Sequence, residues 1–302
     1  MAIRKDFKNF NDKTIAIFDT SYFFHNKLNA TYNYYLRQYG AELFHDKTQI
    51  GKYDFSTDAD FVNCLEFFCK KDTEAYLTEH GSNWQHLIWA MDCSKKNIWR
   101  RDYYPLYKEN RIQKQDEGEL DYTTPNFGTM WKHIYNNFLP KLISEKQCYM
   151  SRHDACEGDD IIAIIKELVC EQLPDKKIII NAYDSDLAQL ITSDNIKIIN
   201  LEGTNVGENN LKKYGSYSKI CLLKSLYGDR KDNVIQSFPR CGIETAKKLL
   251  ANKDLLLEKI KNTPGSKEQI VLNMLLLDLT KIPPVIKDSV KTDLLSKCKF
   301  LK

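Results

Sequence analysis

The chain has 302 residues, 42% of them apolar and 28% charged, and 44 Lys and Arg against 41 Asp and Glu leave a formal charge of +3. That balance excludes wholesale disorder and a fibrous repeat, and the length is enough to bury a core without staples. No apolar run approaches the ~18–20 residues of a membrane span, and none precedes Thr14, so neither an integral membrane protein nor a secretory signal is predicted. The nine cysteines are odd in number and form no Cys-x-x-Cys pair, and His153 with Cys156 has no second pair to complete a zinc site. Reduced thiols and a cytoplasmic setting are expected.

In chain order, Thr14 to Phe18 is a short apolar, β-branched run that stops at Asp19. It predicts a buried strand ending in a carboxylate. A helical pattern follows over Ala59 to Leu77. His86 to Met91 predicts a second strand, which stops at Asp92. Asn97 to Pro125 is rich in Arg, Lys, Tyr and Gln and predicts a partly helical arm over the site, disordered around Gln113 to Gly118. Helices are predicted over Phe127 to Ser144 and Glu157 to Cys170, and strands over Lys177 to Ile180 and Asn195 to Leu201. Strands alternating with helices indicate an α/β fold with a mostly parallel central sheet flanked by helices, whose ligand site lies beyond the carboxyl ends of the strands. Residues 1–203 are assigned to this core. Residues 204–302 are assigned to a helical C-terminal domain, with helices over Tyr214 to Tyr227, Gly242 to Ala251, Lys267 to Thr280 and Pro284 to Lys297.

Acidic residues gather in tight groups. Glu157-Gly158-Asp159-Asp160 opens an apolar helix, and Glu157 and Asp160 share a helical face. Acids there also complement the helix dipole. Asp184-Ser185-Asp186 follows a strand, where both carboxylates face one pocket if the chain is extended, or one of them caps a turn. Gly228-Asp229-Arg230-Lys231-Asp232-Asn233 has turn chemistry as well as acids. Together the groups point to one pocket. Carboxylates crowded there raise each other's pKa unless a cation intervenes. Oxygen ligands without His or Cys select Mg²⁺ or Mn²⁺, and a pair of such ions suits phosphodiester hydrolysis.

Asp19, Asp92, Glu157-Gly158-Asp159-Asp160, Asp184-Ser185-Asp186 and Gly228 to Asn233 occur in the order of the structure-specific 5′-nucleases, and the chain resembles that family. Trp99 to Tyr104 with Tyr107-Lys108-Glu109-Asn110-Arg111 is similar to its phage ribonuclease H branch. The resemblance runs from about Thr14 to Leu250. It implies a nuclease core with a helical arch at about 97–125 and a DNA-binding helix-turn-helix element at about 214–251. It implies that Asp19, Asp92, Glu157, Asp159, Asp160, Asp184, Asp186 and Asp232 bind two Mg²⁺ ions, with Mn²⁺ as a substitute. Lys108 and Arg111 match basic residues that contact the scissile phosphate, and Arg100 and Arg101 are assigned there too. Arg230, Lys231, Arg240, Gly242, Lys247 and Lys248 are assigned to duplex DNA. The family loop Gly-x-x-Gly-x-Gly, which holds K⁺ in many members, retains one glycine here, in Ser237 to Ile243, and this argues against K⁺.

The implied substrates are DNA flaps, nicked or gapped duplex, and RNA–DNA hybrids at RNA primers. The implied partners are single-strand-binding protein, sliding clamp or polymerase, in a bacterial host cytoplasm if the protein is viral. Two other readings are carried alongside. A PIN-type ribonuclease would share the acid-lined core, but such domains usually lack the arm and the 228–250 element. A catalytically silent binder of branched DNA would not be expected to keep every matching carboxylate.

Overall fold

A computed structural model describes residues 14–43, 47–110 and 124–301. At its centre is a five-stranded sheet in which every pairing is parallel, in the order β3-β2-β1-β4-β5. The strands are β1 (Ile15–Asp19), β2 (Leu87–Ala90), β3 (Tyr149–Ser151), β4 (Ile178–Asn181) and β5 (Ile196–Ile198). Because side chains alternate across a strand, Ile15 and Ile17 face one layer while Ala16 and Phe18 face the other. Both layers are apolar, which is why the strands read as unbroken hydrophobic runs.

One layer holds α1 (Thr20–Leu43), α2 (Ala59–Glu79) and a helix that runs from α3 (Gly128–His133) through a π-turn (Ile134–Phe138) into α4 (Leu139–Lys146). Phe18, Phe23, Phe24 and Trp89 meet here, with the Phe18 and Trp89 ring centroids 4.9 Å apart and nearly perpendicular. Such pairs add about 0.5–1.5 kcal/mol beyond their burial. Asp58 caps α2 by accepting from the N–H groups of Asp60 and Phe61, and the hydroxyls of Tyr35 and Tyr53 donate to it from α1 and the loop after it.

The other layer is built on α5 (Gly158–Gln172), whose apolar residues cover the sheet. The helices α6 (Val206–Tyr214), α7 (Ile220–Tyr227), α8 (Ile243–Ala251), α9 (Lys253–Lys261), α10 (Ser266–Leu277) and α11 (Pro284–Lys297) complete it. One hydrophobic cluster runs from Ile161 and Ile180 through Leu226, Phe238 and Leu249 to Val290 and Leu294, so the C-terminal helices share the core of the sheet. The predicted helix over Tyr214 to Tyr227 is α7 preceded by a single 3-10 turn (Tyr217–Lys219).

The order of the strands reverses between β1 and β4. A crevice opens at such a reversal beyond the carboxyl ends of the strands. Asp19 ends β1, Asp92 lies two residues past β2, and Asp184 lies three past β4, so all three reach one edge of the sheet.

Candidate active site

Each carboxylate at this edge is fixed by local backbone. Asp19 accepts from the N–H of Tyr22 at 3.0 Å as α1 begins. Asp92 accepts from the N–H of Gly158 at 2.7 Å and from the Ser21 hydroxyl. Asp184 accepts from the N–H of Asp186 at 2.8 Å. This is the local turn that the Asp-Ser-Asp spacing allowed, and Asp186 opens the 3-10 turn Asp186–Leu190. Glu157 is the N-cap of α5, in a capping box with Asp160.

The electrostatics show how closely these groups lie. Burial, then Asp92 and Asp184, push the Asp19 carboxyl up to about 7. Burial, Asp184 and Asp19 hold Asp159 well above the usual carboxylate range. Asp186 is raised by burial to about 6, although Lys224 opposes the rise. Crowded acids without enough cation behave in this way.

Two lysines enter the pocket. Lys108, in a left-handed backbone conformation with φ 56°, donates to Glu157 and lies 3.6 Å from Asp232. Its N–H donates to the Asp232 carbonyl at 3.0 Å, and the Tyr107 hydroxyl reaches Glu157 at 3.1 Å and Asp232 at 3.3 Å. The turn at 228–234 is thereby docked onto the base of the arm, helped by a bond of 2.7 Å from Asn233 to the Leu106 carbonyl. Lys224, buried in α7, donates to Asp186 and, at 2.6 Å, to Asp229. Sequence reasoning missed Lys224 and Tyr107. A lone lysine inside the apolar run Ile220 to Leu226 was the available signal for the first.

Three of the assigned residues are engaged by partners within the protein. Arg100 is fully buried, with its guanidinium bonded to both oxygens of Asp160 at 2.7 and 2.8 Å and its Nε–H to the Leu276 carbonyl at 2.7 Å. It presents no face to a phosphate. Arg101 is braced between Glu109 at 2.7 Å and the Tyr107 carbonyl at 2.9 Å. Asp160 is also fully buried and accepts from Arg100, from the Trp99 indole at 3.1 Å and from the N–H of Glu157 at 3.2 Å, with three of these bonds on Oδ2 and one on Oδ1. It is held in an internal ion pair with Arg100. Arg111 and the segment from Gln113 to Gly118 lie outside the described residues.

Of the remaining assigned carboxylates, Asp19 and Asp184 line one cleft and Asp184, Asp186 and Asp232 another, while Asp92, Glu157 and Asp159 are tied to the same edge through Gly158, Lys108 and the charge of Asp19 and Asp184. Among the described residues no three of them converge on one point at ligand distance. Their chemistry nonetheless fits a hard divalent cation: the donors are all oxygens, and two of the carboxyls are driven toward neutrality by their neighbours. A cleft of about 1,320 Å³ opens from Asp19 and Asp184 along α1, and a smaller one of about 410 Å³ runs from Asp184 and Asp186 past Lys224 to Gly242. Arg230, Lys231, Arg240 and Lys248 are exposed on the C-terminal side, and Lys247 pairs with Glu244 at 2.8 Å.

Residues 31–216 match the family of the 5′-3′ exonuclease N-terminal resolvase-like domain. Ribonuclease H of Enterobacteria phage T4 is 29% identical over 178 residues, which are 57% of this chain and 51% of that protein. The chain thus spans about half the length of the curated relative it matches. Among solved structures, a bacteriophage T5 protein co-crystallized with metal ions superposes with a TM-score of 0.62 at 14% identity, over 95% of this chain and 100% of that one. The T5 5′-exonuclease with zinc ions bound gives 0.60, and a T5 flap endonuclease in a pseudo-enzyme-product complex with DNA and metal ions gives 0.61, at the same identity and coverage. At that identity the likeness establishes the fold.

Proposed function

Since the chain belongs to the 5′-3′ exonuclease family of the N-terminal resolvase-like domain, we propose that it is a Mg²⁺-dependent 5′→3′ nuclease, which hydrolyses phosphodiester bonds near the 5′ end of branched, nicked or RNA-primed duplex DNA. One observation carries this reading. Carboxylates from the ends of β1, β2 and β4, from the start of α5 and from the 228–234 turn gather at one edge of the sheet, with Lys108 against Glu157 and Asp232. Local caps and turns hold individual acids but do not require five separated segments to bring them to the same edge.

Two divalent ions held by Asp19, Asp92, Glu157, Asp159, Asp184, Asp186 and Asp232 would activate a water and stabilise the leaving oxygen. The chain's own residues do the rest. Lys108 places a cation where negative charge develops on the phosphate, and Tyr107 fixes it relative to Glu157 and Asp232. Arg230, Lys231, Arg240 and Lys248, with the start of α8 at Gly242, offer duplex phosphates a basic surface that carries no sequence information. T4 ribonuclease H supports the RNA-primed substrate, and the T5 complex with DNA supports the branched one.

The test uses a 5′-labelled DNA flap and a 5′-labelled RNA–DNA hybrid, each with Mg²⁺ or EDTA. Mg²⁺-dependent release of short 5′ products is expected, and Asp159→Asn or Asp184→Asn abolishes it while duplex binding in Ca²⁺ persists. Full activity in either variant, or activity in EDTA, refutes the assignment.

A further inference from the structure

We propose that Arg100 is a positioning residue: it locks Asp160, thereby holds Glu157 toward Lys108, and takes its own alignment from the Leu276 carbonyl in α10. What Glu157 and Lys108 contribute rests on the nuclease reading above.

The geometry is that of a two-sided clamp. Nη1 and Nη2 grip the two oxygens of Asp160, and Nε–H points to α10. The guanidinium carbon lies 4.5 Å from the centre of the Trp99 ring, and the same indole donates to Asp160. Asp160 in turn accepts from the N–H of Glu157, so any movement of this carboxylate moves the backbone that carries Glu157 and Asp159. Nη1 also reaches Glu157 itself at 3.4 Å.

A purely structural role does not call for these groups. Buried ion pairs can often be replaced by apolar residues of similar volume without loss of stability. What charge provides here, and Leu or Met would not, is direction: a planar fork that sets the angle of one carboxylate against a fixed carbonyl. Lysine supplies the charge without the fork.

Arg100→Met, Arg100→Lys and the double variant Arg100→Met with Asp160→Leu are compared with the wild-type chain. Melting temperature, Ca²⁺ affinity by calorimetry, and kcat and KM on the flap in Mg²⁺ are measured well below each variant's own melting point. The single Met variant is expected to lose stability, because Asp160 is left buried and unpaired. The double variant recovers part of the melting temperature, the Trp99 indole and the Glu157 N–H having lost their acceptor, yet keeps weakened Ca²⁺ affinity and a kcat about 10- to 100-fold down, with KM within about twofold. Arg100→Lys also stays below wild type in kcat.

A double variant that regains kcat and Ca²⁺ affinity together with stability would overturn the proposal, as would full activity in Arg100→Lys. Tighter Ca²⁺ binding by Arg100→Met would also overturn it, since Asp160 would then be a ligand that Arg100 withholds. If the wild type binds Ca²⁺ and cuts neither substrate, the nuclease reading fails by itself, and the Ca²⁺ measurements on the variants still decide the role of Arg100.

Discussion

Gly158 donates its backbone N–H to Asp92 at 2.7 Å, fastening the first turn of α5 to the segment that follows β2. A Cβ at Gly158 would meet Asp92 Oδ1 at 3.3 Å, and its three nearest neighbours would all be atoms of the Asp92 carboxyl. Gly158→Ala is therefore expected to gain up to about 1 kcal/mol of stability from helix propensity, while the carboxylate yields by a few tenths of an ångström. Urea unfolding checks the gain. A loss greater than about 2 kcal/mol would mean that Asp92 cannot give way.

Gly228 stands in the opposite situation. Its φ is +81°, and an added Cβ would sit 2.6 Å from the Val234 carbonyl oxygen and 2.8 Å from the Gln236 nitrogen, both backbone. Gly228→Ala is expected to cost more than about 3 kcal/mol and to displace the turn bearing Asp229 and Asp232. Gly242→Ala, at φ −96° with open space around it, is the control and should cost no more than about 1 kcal/mol, because alanine is a poorer N-cap than glycine. Thermal melts of the two variants side by side decide the matter.

Lys224 neutralises Asp186 and Asp229 together from a buried position. Burial opposes ionisation of Asp229, but Lys224 and the N–H groups of Lys231 and Asp232 hold its carboxyl below the usual range. Lys224→Met strands both acids and is expected to cost about 3–5 kcal/mol in EDTA. Excess Mg²⁺ should return part of that loss. Denaturant unfolding with and without the ion measures both quantities, and equal losses would separate Asp186 from any cation site.

The raised carboxyls carry a sign for pH. Asp19, at about 7 in the folded state against 3.8 in a free chain, holds a proton that the unfolded chain releases above pH 4. Its contribution to stability is complete below pH 4 and disappears as the pH rises through about 7. Asp159 and Asp186 shift in the same direction. In EDTA the protein should melt at a lower temperature at pH 8 than at pH 5.5, and the increase on adding Mg²⁺ should be larger at pH 8. A metal increment that does not change with pH would contradict a shared acidic pocket.

Much of this was legible in the sequence because chemistry and periodicity coincide at the strand ends. An apolar run cut off by aspartate twice, at Asp19 and Asp92, and a third followed closely by Asp184 locate the carboxyl edge of a parallel sheet. The 24-residue α1 was not legible: its Asn and Tyr residues give no clean apolar stripe, and its buried Phe23, Phe24 and Leu28 fall at the start, beside the strand. The edge strand β3 is three residues long and pairs with only one neighbour. The partners of Arg100, Arg101 and Asp160 were not legible, for one reason. Sequence gives the sign of a charge but not the side of the surface on which it lies, and these three are committed to partners inside the protein.

The bond from Arg100 to Leu276 joins residues 176 positions apart in the chain. While the protein is being made, every acid of the pocket emerges from the ribosome before the helix that aligns Arg100. A nascent chain that has not yet made α10 therefore carries these carboxylates without the carbonyl against which Arg100 is set.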